Sequence, residues 1–139
     1  MAHDPNCIFC KIVTGLIPSA KVLETESAIA FLDINPVAPG HVLLVPKEHS
    51  VTLADASPQT VAAVAAELPR LARAILAATG ASGLNLVQNN GRDAGQVVGH
   101  LHFHLIPRRA GDVFRLHWPQ GKYEGNAQEE MRARIAAGV

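Results

Sequence analysis

The chain has 139 residues, 48% of them hydrophobic and 17% charged, with 12 basic residues balanced by 12 acidic ones. That composition fits one globular domain with room for a core and excludes a disordered chain. Zero formal net charge excludes the basic surface needed to hold long DNA or RNA, and no apolar run is long enough to span a bilayer.

In chain order, residues 1–6 are short and polar, unlike a signal peptide. Cys7 and Cys10 therefore suit the reducing cytoplasm, where a structural disulfide is not expected. They open a short helix that ends near Thr14, with Gly15 just past its end. Residues 20–25 and 27–33 read as two strands of a hairpin turning at Thr25 and Glu26. On the second strand Ile29, Phe31 and Asp33 share one face. A Pro- and Gly-containing turn over residues 35–40 leads into a strand over 41–45, apolar on both faces and so central. Ser57 followed by Pro58 starts a long helix. Its stripe is Val61, Val64, Leu68, Leu71 and Ile75, and Gly80 closes it. Pro69 kinks or splits that helix. Its alanine-rich surface allows close approach by the sheet or by a second subunit.

A fourth strand covers residues 84–89. The polar loop 89–96 follows, then a fifth strand over 100–107 that Pro107 ends. Residues 111–125 read as irregular and 127–137 as a short helix. This order of strands and helices predicts an α+β domain with an antiparallel sheet of about five strands.

The fifth strand carries the chemistry. His100, His102 and His104 alternate with Leu101, Phe103 and Leu105, so the apolar residues face a core and the histidines share the opposite face. Same-face neighbours lie roughly 7 Å apart and the outer pair roughly 13 Å, while zinc–nitrogen bonds are about 2 Å. One ion cannot take all three from a straight strand. The residues alone leave open metal binding by some of them, separate tasks for each, or a polar face without function. Cys7-x-x-Cys10 is equally open: a redox pair, though without a thioredoxin-like βαβ context, or half of a zinc site. Asp33 and Asn89 suit turns as well as ligand contacts, and Ile8, Phe9, Phe31 and Ile34 suit a core as well as a pocket.

His100-Leu101-His102-Phe103-His104-Leu105-Ile106 matches the alternating motif of the histidine-triad (HIT) family. The segments 7–12, 31–36 and 39–49 and the Asn-Gly…Ala-Gly-Gln loop before the triad also resemble that family, and within it the Hint-like branch. The resemblance spans about residues 7–108 of a single domain, 1–139, and leaves 109–139 as a C-terminal extension. It implies the HIT-like fold and a homodimer. It also implies hydrolysis or transfer of nucleoside 5′-monophosphates, often adenylates, from amine, acid or phosphate leaving groups, through a nucleotidyl-histidine intermediate.

By motif position His102 is the implied nucleophile, His104 the group that hydrogen-bonds phosphate or leaving group, and His41 the supporting fourth histidine. Asn89 and Gln96 are implied at the phosphate and Asp33 at the ribose. Ile8, Phe9, Ile12, Phe31 and Ile34 are implied around a purine base, with adenine expected. Hint-like proteins with such a cysteine pair add the histidines equivalent to His49 and His100, so zinc on Cys7, Cys10, His49 and His100 is implied. Val97 departs from the serine or threonine common after the glutamine, and His117-Trp118-Pro119 resembles a segment that approaches the partner's site. The alternatives are a nucleotide- or partner-binding regulatory protein with little turnover, or a dinucleoside polyphosphate hydrolase.

Overall fold

The turn at Thr25 is built by its own hydroxyl, which accepts from the backbone N–H of Ala28 at 3.0 Å while Thr25 N–H donates to the Ala28 carbonyl at 2.9 Å. It closes the hairpin of β1 (Lys21–Glu24) and β2 (Ala28–Leu32). The computed structural model describes residues 2–139, so Met1, the first residue of the expected domain, lies outside it. Three more strands, β3 (Val42–Pro46), β4 (Gly83–Val87) and β5 (Phe103–Arg108), complete an antiparallel sheet in the order β1-β2-β3-β5-β4. β3 is buried along its whole length at the centre of the sheet.

The sheet has two covered faces because side chains alternate along each strand. Ala28, Ala30, Val42, Leu44, Phe103 and Leu105 pack with Val64, Leu71 and Ile75 of the helical layer. Ile29, Phe31, Leu43 and Val45 pack on the other face with Cys7, Phe9 and Cys10. Those three belong to α1 (Ile8–Val13) and its N-cap Cys7. Register carries the second face across the sheet, pairing Phe31 with Leu43 and Leu43 with His104.

The expected long helix is two: α2 (Pro58–Ala65) and α3 (Leu68–Thr79). Pro69 has no N–H for the carbonyl four residues earlier and its ring crowds that carbonyl, so the chain restarts at Leu68. The Ser57 side chain caps α2, accepting from Thr60 N–H, and Gly80 ends α3 in the left-handed region. α4 (Ala127–Ala137) has the bounds expected from sequence, after an irregular 111–125.

The histidine strand differs from expectation at both ends. β5 begins only at Phe103, leaving His100, Leu101 and His102 outside the ladder. The β3–β5 register ends at Leu44 opposite Phe103; continued, it would place Leu101 opposite Pro46, which has no N–H to donate. Leu101 N–H turns instead to the Ser50 carbonyl at 2.8 Å. The alternation survives in facing, since Leu101, Phe103 and Leu105 all join the core under the helical layer, but not in burial, since His100 is 0% exposed and His102 7% beneath α1. At the other end Pro107 does not stop the strand. It pairs with Leu84 of β4 beyond the last β3 partner, at Leu105, and an open edge tolerates a missing donor.

Gly40 holds the turn into β3 at φ +94°, and a Cβ there would lie 2.5 Å from Thr79 Cγ2. Gly40→Ala is therefore expected to lower unfolding free energy by about 1–3 kcal/mol. Urea denaturation checks this; an unchanged midpoint contradicts the packing described.

Candidate active site and metal cluster

Backbone groups choose the tautomer of each triad histidine. A carbonyl only accepts, so His102 Nδ1, 2.6 Å from the His100 carbonyl, is the protonated nitrogen. That leaves Nε2 of His102 with a free lone pair. His41 Nδ1 accepts from Val37 N–H at 3.1 Å. Its Nε2 therefore holds the proton in the neutral ring, and it donates to His104 Nδ1 at 2.9 Å. His104 Nε2 then carries a proton as a donor. Burial pushes the His104 pKa down to about 4, with His102 and His41 adding to the effect, and burial also lowers His41 against the pull of Asp33. Both rings are neutral at pH 7.

These depressed values make folding pH-dependent. Unfolded histidines bind protons below about pH 6.5 while folded His104 does so only near its lowered value. Stability should be full above pH 6.5 and fall as the pH drops from there toward 4. His104 alone accounts for on the order of 1 kcal/mol between pH 7 and 5, allowing for its partial exposure. Urea midpoints across that range test this; a flat profile contradicts it.

His102 and His104 open onto a cavity of about 500 Å³. Ile8, Phe9, Ile12, Phe31, Ile34, Asp33 and Asn89, the residues that the family resemblance implied around a nucleotide, line it. His41 is buried behind His104 and touches that ring, not the cavity wall. Asp33 has two tasks: Oδ1 accepts from Asn35 N–H at 2.9 Å in a turn, and Oδ2 lies 3.6 Å from His41 Nε2. Among the described residues, no hydrogen bond engages the Asn89 side chain, so its amide is free toward the cavity.

Gln96 corrects the sequence reading. It is absent from the cavity wall. Its Nε2 donates to the carbonyls of Val51 (2.7 Å) and Val98 (3.0 Å), and its Oε1 accepts from Gly91 N–H (2.8 Å). With both amide protons committed it braces the 89–96 loop and has none left for phosphate. The wall also includes Leu43, Val98 and residues 17–19, which the sequence reading missed. Leu43 was accessible from its register with Phe31 and His104; the other contacts come from loops with no periodic signal. Val97 is 94% exposed at this wall.

The first triad histidine belongs to a different cluster. His100 Nε2 donates to the Pro46 carbonyl at 2.9 Å, which leaves Nδ1 with a lone pair. Cys7 Sγ (3.3 Å), Cys10 Sγ (3.6 Å) and His49 Nδ1 (3.1 Å) surround that nitrogen. The four donor atoms lie within 4.8 Å of one another. Zinc bonds of about 2.0–2.3 Å in a tetrahedron separate ligands by amounts close to these. The outer hydrogen bond that orients His100 is the usual companion of a metal-ligating imidazole. Both cysteines are free and buried, Cys10 Sγ accepts from Asp4 N–H at 3.3 Å, and burial pushes the Cys10 thiol up from its usual pKa. These residues fit a metal ion.

The HIT domain model matches residues 14–111. Adenylylsulfatase HINT3 of Arabidopsis thaliana is 44% identical over 107 residues, which are 77% of this chain but 54% of the plant protein. The chain thus spans about half of that relative. Adenosine 5'-monophosphoramidase HNT1 of Candida albicans is 42% identical over 145 residues, covering 98% of this chain and 95% of the relative. A crystal structure of a HIT family protein from Bacillus anthracis superposes with a TM-score of 0.92 at 39% identity, covering 99% of both chains. A Zn-bound histidine triad family protein from Mycobacterium smegmatis gives a TM-score of 0.75 at 39% identity, covering 95% of this chain and 94% of that one.

Proposed function

The chain belongs to the HIT domain family, and from that membership we propose that it hydrolyses nucleoside 5′-phosphoramidates or related adenylates through a covalent intermediate on His102. The observation that carries this reading is the His102 Nδ1 hydrogen bond to the His100 carbonyl, because it places the ring proton on Nδ1 and so assigns Nε2, at the cavity wall, as the nucleophilic nitrogen. The Nε2 lone pair attacks phosphorus and the bond to the leaving amine breaks. His104 Nε2–H donates a hydrogen bond to the leaving nitrogen, which takes its proton from solvent. Water then attacks the nucleotidyl-imidazole, gives up a proton to solvent and frees the nucleoside monophosphate and His102. Asp33 accepts from ribose hydroxyls, Asn89 donates to phosphate, and the apolar wall of Ile8, Phe9, Ile12, Phe31 and Ile34 takes adenine. Relatives named for adenosine monophosphoramidase and adenylylsulfatase activity support this class of chemistry.

Zinc on Cys7, Cys10, His49 and His100 belongs to the same proposal. With four protein ligands such a site is closed and structural, so its contribution is to hold α1 against the sheet. A cytoplasmic homodimer completes it. No helix among the described residues is long and apolar enough to cross a membrane. The free thiols suit a reducing compartment. Light scattering at micromolar concentration should give twice the chain mass, and a monomer there removes the dimer.

The purified protein should turn over adenosine 5′-phosphoramidate in preference to a dinucleoside polyphosphate. Nucleotide binding without turnover of either would replace the hydrolase with the binding-protein reading.

A further inference from the structure

Phe9 lines the cavity and also packs against three other rings. It is 6% exposed and sits in α1 between Cys7 and Cys10. Its ring meets His102 edge-on at 5.2 Å between centroids and 83°. It meets His100 at 5.9 Å and 67°, and Phe31 at 5.6 Å and 69°. A histidine ring turns about a soft terminal torsion, so the single hydrogen bond from His102 Nδ1 to the His100 carbonyl leaves its tilt undetermined. A packed aromatic edge removes that freedom. Six residues make too short a helix to be stable alone. Packing against Ile29, Phe31, Leu43 and Val45 seats α1 on the sheet, the approach of both flanking sulfurs to His100 Nδ1 ties it to the triad segment, and His100 is also the residue whose carbonyl holds His102. The His104 ring also meets His102, at 5.0 Å and 63°; of the three restraints on the His102 ring, the Phe9 edge and the hydrogen bond both depend on His100.

We propose that Phe9 is a positioning residue that holds the His102 ring in its attacking pose, beyond serving as a wall for the base. The proposal rests on the hydrolase reading above. A ring displaced by about 1 Å from the phosphorus costs on the order of 10²-fold in rate, whereas one missing wall group costs affinity.

The test is Phe9→Leu in the full, metal-loaded chain, with metal content and melting temperature measured beside it. Expected are a kcat lower by roughly ten- to hundred-fold and a dissociation constant for adenosine monophosphate within about twofold of the native one. The side-chain nitrogen resonances of His102 should also move at fixed pH. Phe9→Tyr, which keeps the aromatic edge, should restore both kcat and the resonances, and it carries the test if the leucine variant does not fold. Weakened nucleotide binding with kcat retained would reduce Phe9 to a wall residue and overturn the proposal. So would unchanged His102 resonances in Phe9→Leu. If the native protein lacks turnover, the hydrolase reading fails, while the resonances still decide whether Phe9 holds His102.

Discussion

His102→Ala is expected to abolish turnover, by on the order of 10⁴-fold or more, while adenosine monophosphate still binds. The loss is large because no neighbour can replace the nucleophile. His100 Nε2 is committed to the Pro46 carbonyl and its Nδ1 to the cysteine cluster. His104 Nδ1 accepts from His41, so its exposed nitrogen carries a proton. Binding persists because Asp33, Asn89 and the apolar wall remain. His104→Ala is expected to cost less, roughly 10²–10⁴-fold, the range for an acid–base or hydrogen-bonding helper. Steady-state rates beside calorimetric binding measure both. A phosphorus–nitrogen adduct is labile in acid, so turnover stopped with alkaline denaturant should leave the nucleotidyl group on the peptide containing His102. Near-native turnover by His102→Ala, or an adduct on another residue, overturns the mechanism.

If the cluster holds zinc as proposed, its removal is expected to lower the melting temperature by about 10 °C or more, equivalent to about 3–5 kcal/mol in a chain of this size. Without an ion, two buried thiols and two imidazoles converge with no charge to oppose their lone pairs, and α1 loses its link to His49 and the triad segment. Cys10→Ser should reproduce the loss, because it removes one ligand and leaves a hydroxyl in a buried position. Metal analysis of protein purified without chelator should give about one zinc per chain, and calorimetry before and after chelation reads the melting temperature. A chain that contains no zinc after reduction and reconstitution, or that rests with Cys7 and Cys10 oxidised to a disulfide, would remove the site.

Much of this could be read from residues in a row. The alternation of Leu101, Phe103 and Leu105 with three histidines determined which residues share a face, and those three pack together under the helical layer. Ser57-Pro58 determined where α2 starts, and Pro69 that the helix breaks. The family motifs identified the cavity residues Asp33, Asn89, Phe31 and Ile34, and all line it. Such features are local: a turn, a cap or a period depends on neighbours in sequence.

What only the tertiary structure decided depends on groups far apart in the chain. Pro46, 55 residues before Leu101, stops the ladder and pushes His100 and His102 out of the strand. That displacement brings the His100 carbonyl to His102 and the His100 ring to Cys7, Cys10 and His49. Val37 N–H decides which nitrogen of His104 is a donor, through His41. Gln96 looks in sequence like a phosphate ligand, but the Val51 carbonyl from a separate loop claims its amide. A side chain's type limits which hydrogen bonds it can make. Which ones it makes follows from the partners that folding brings within about 3 Å, and no pattern of neighbours in sequence specifies those.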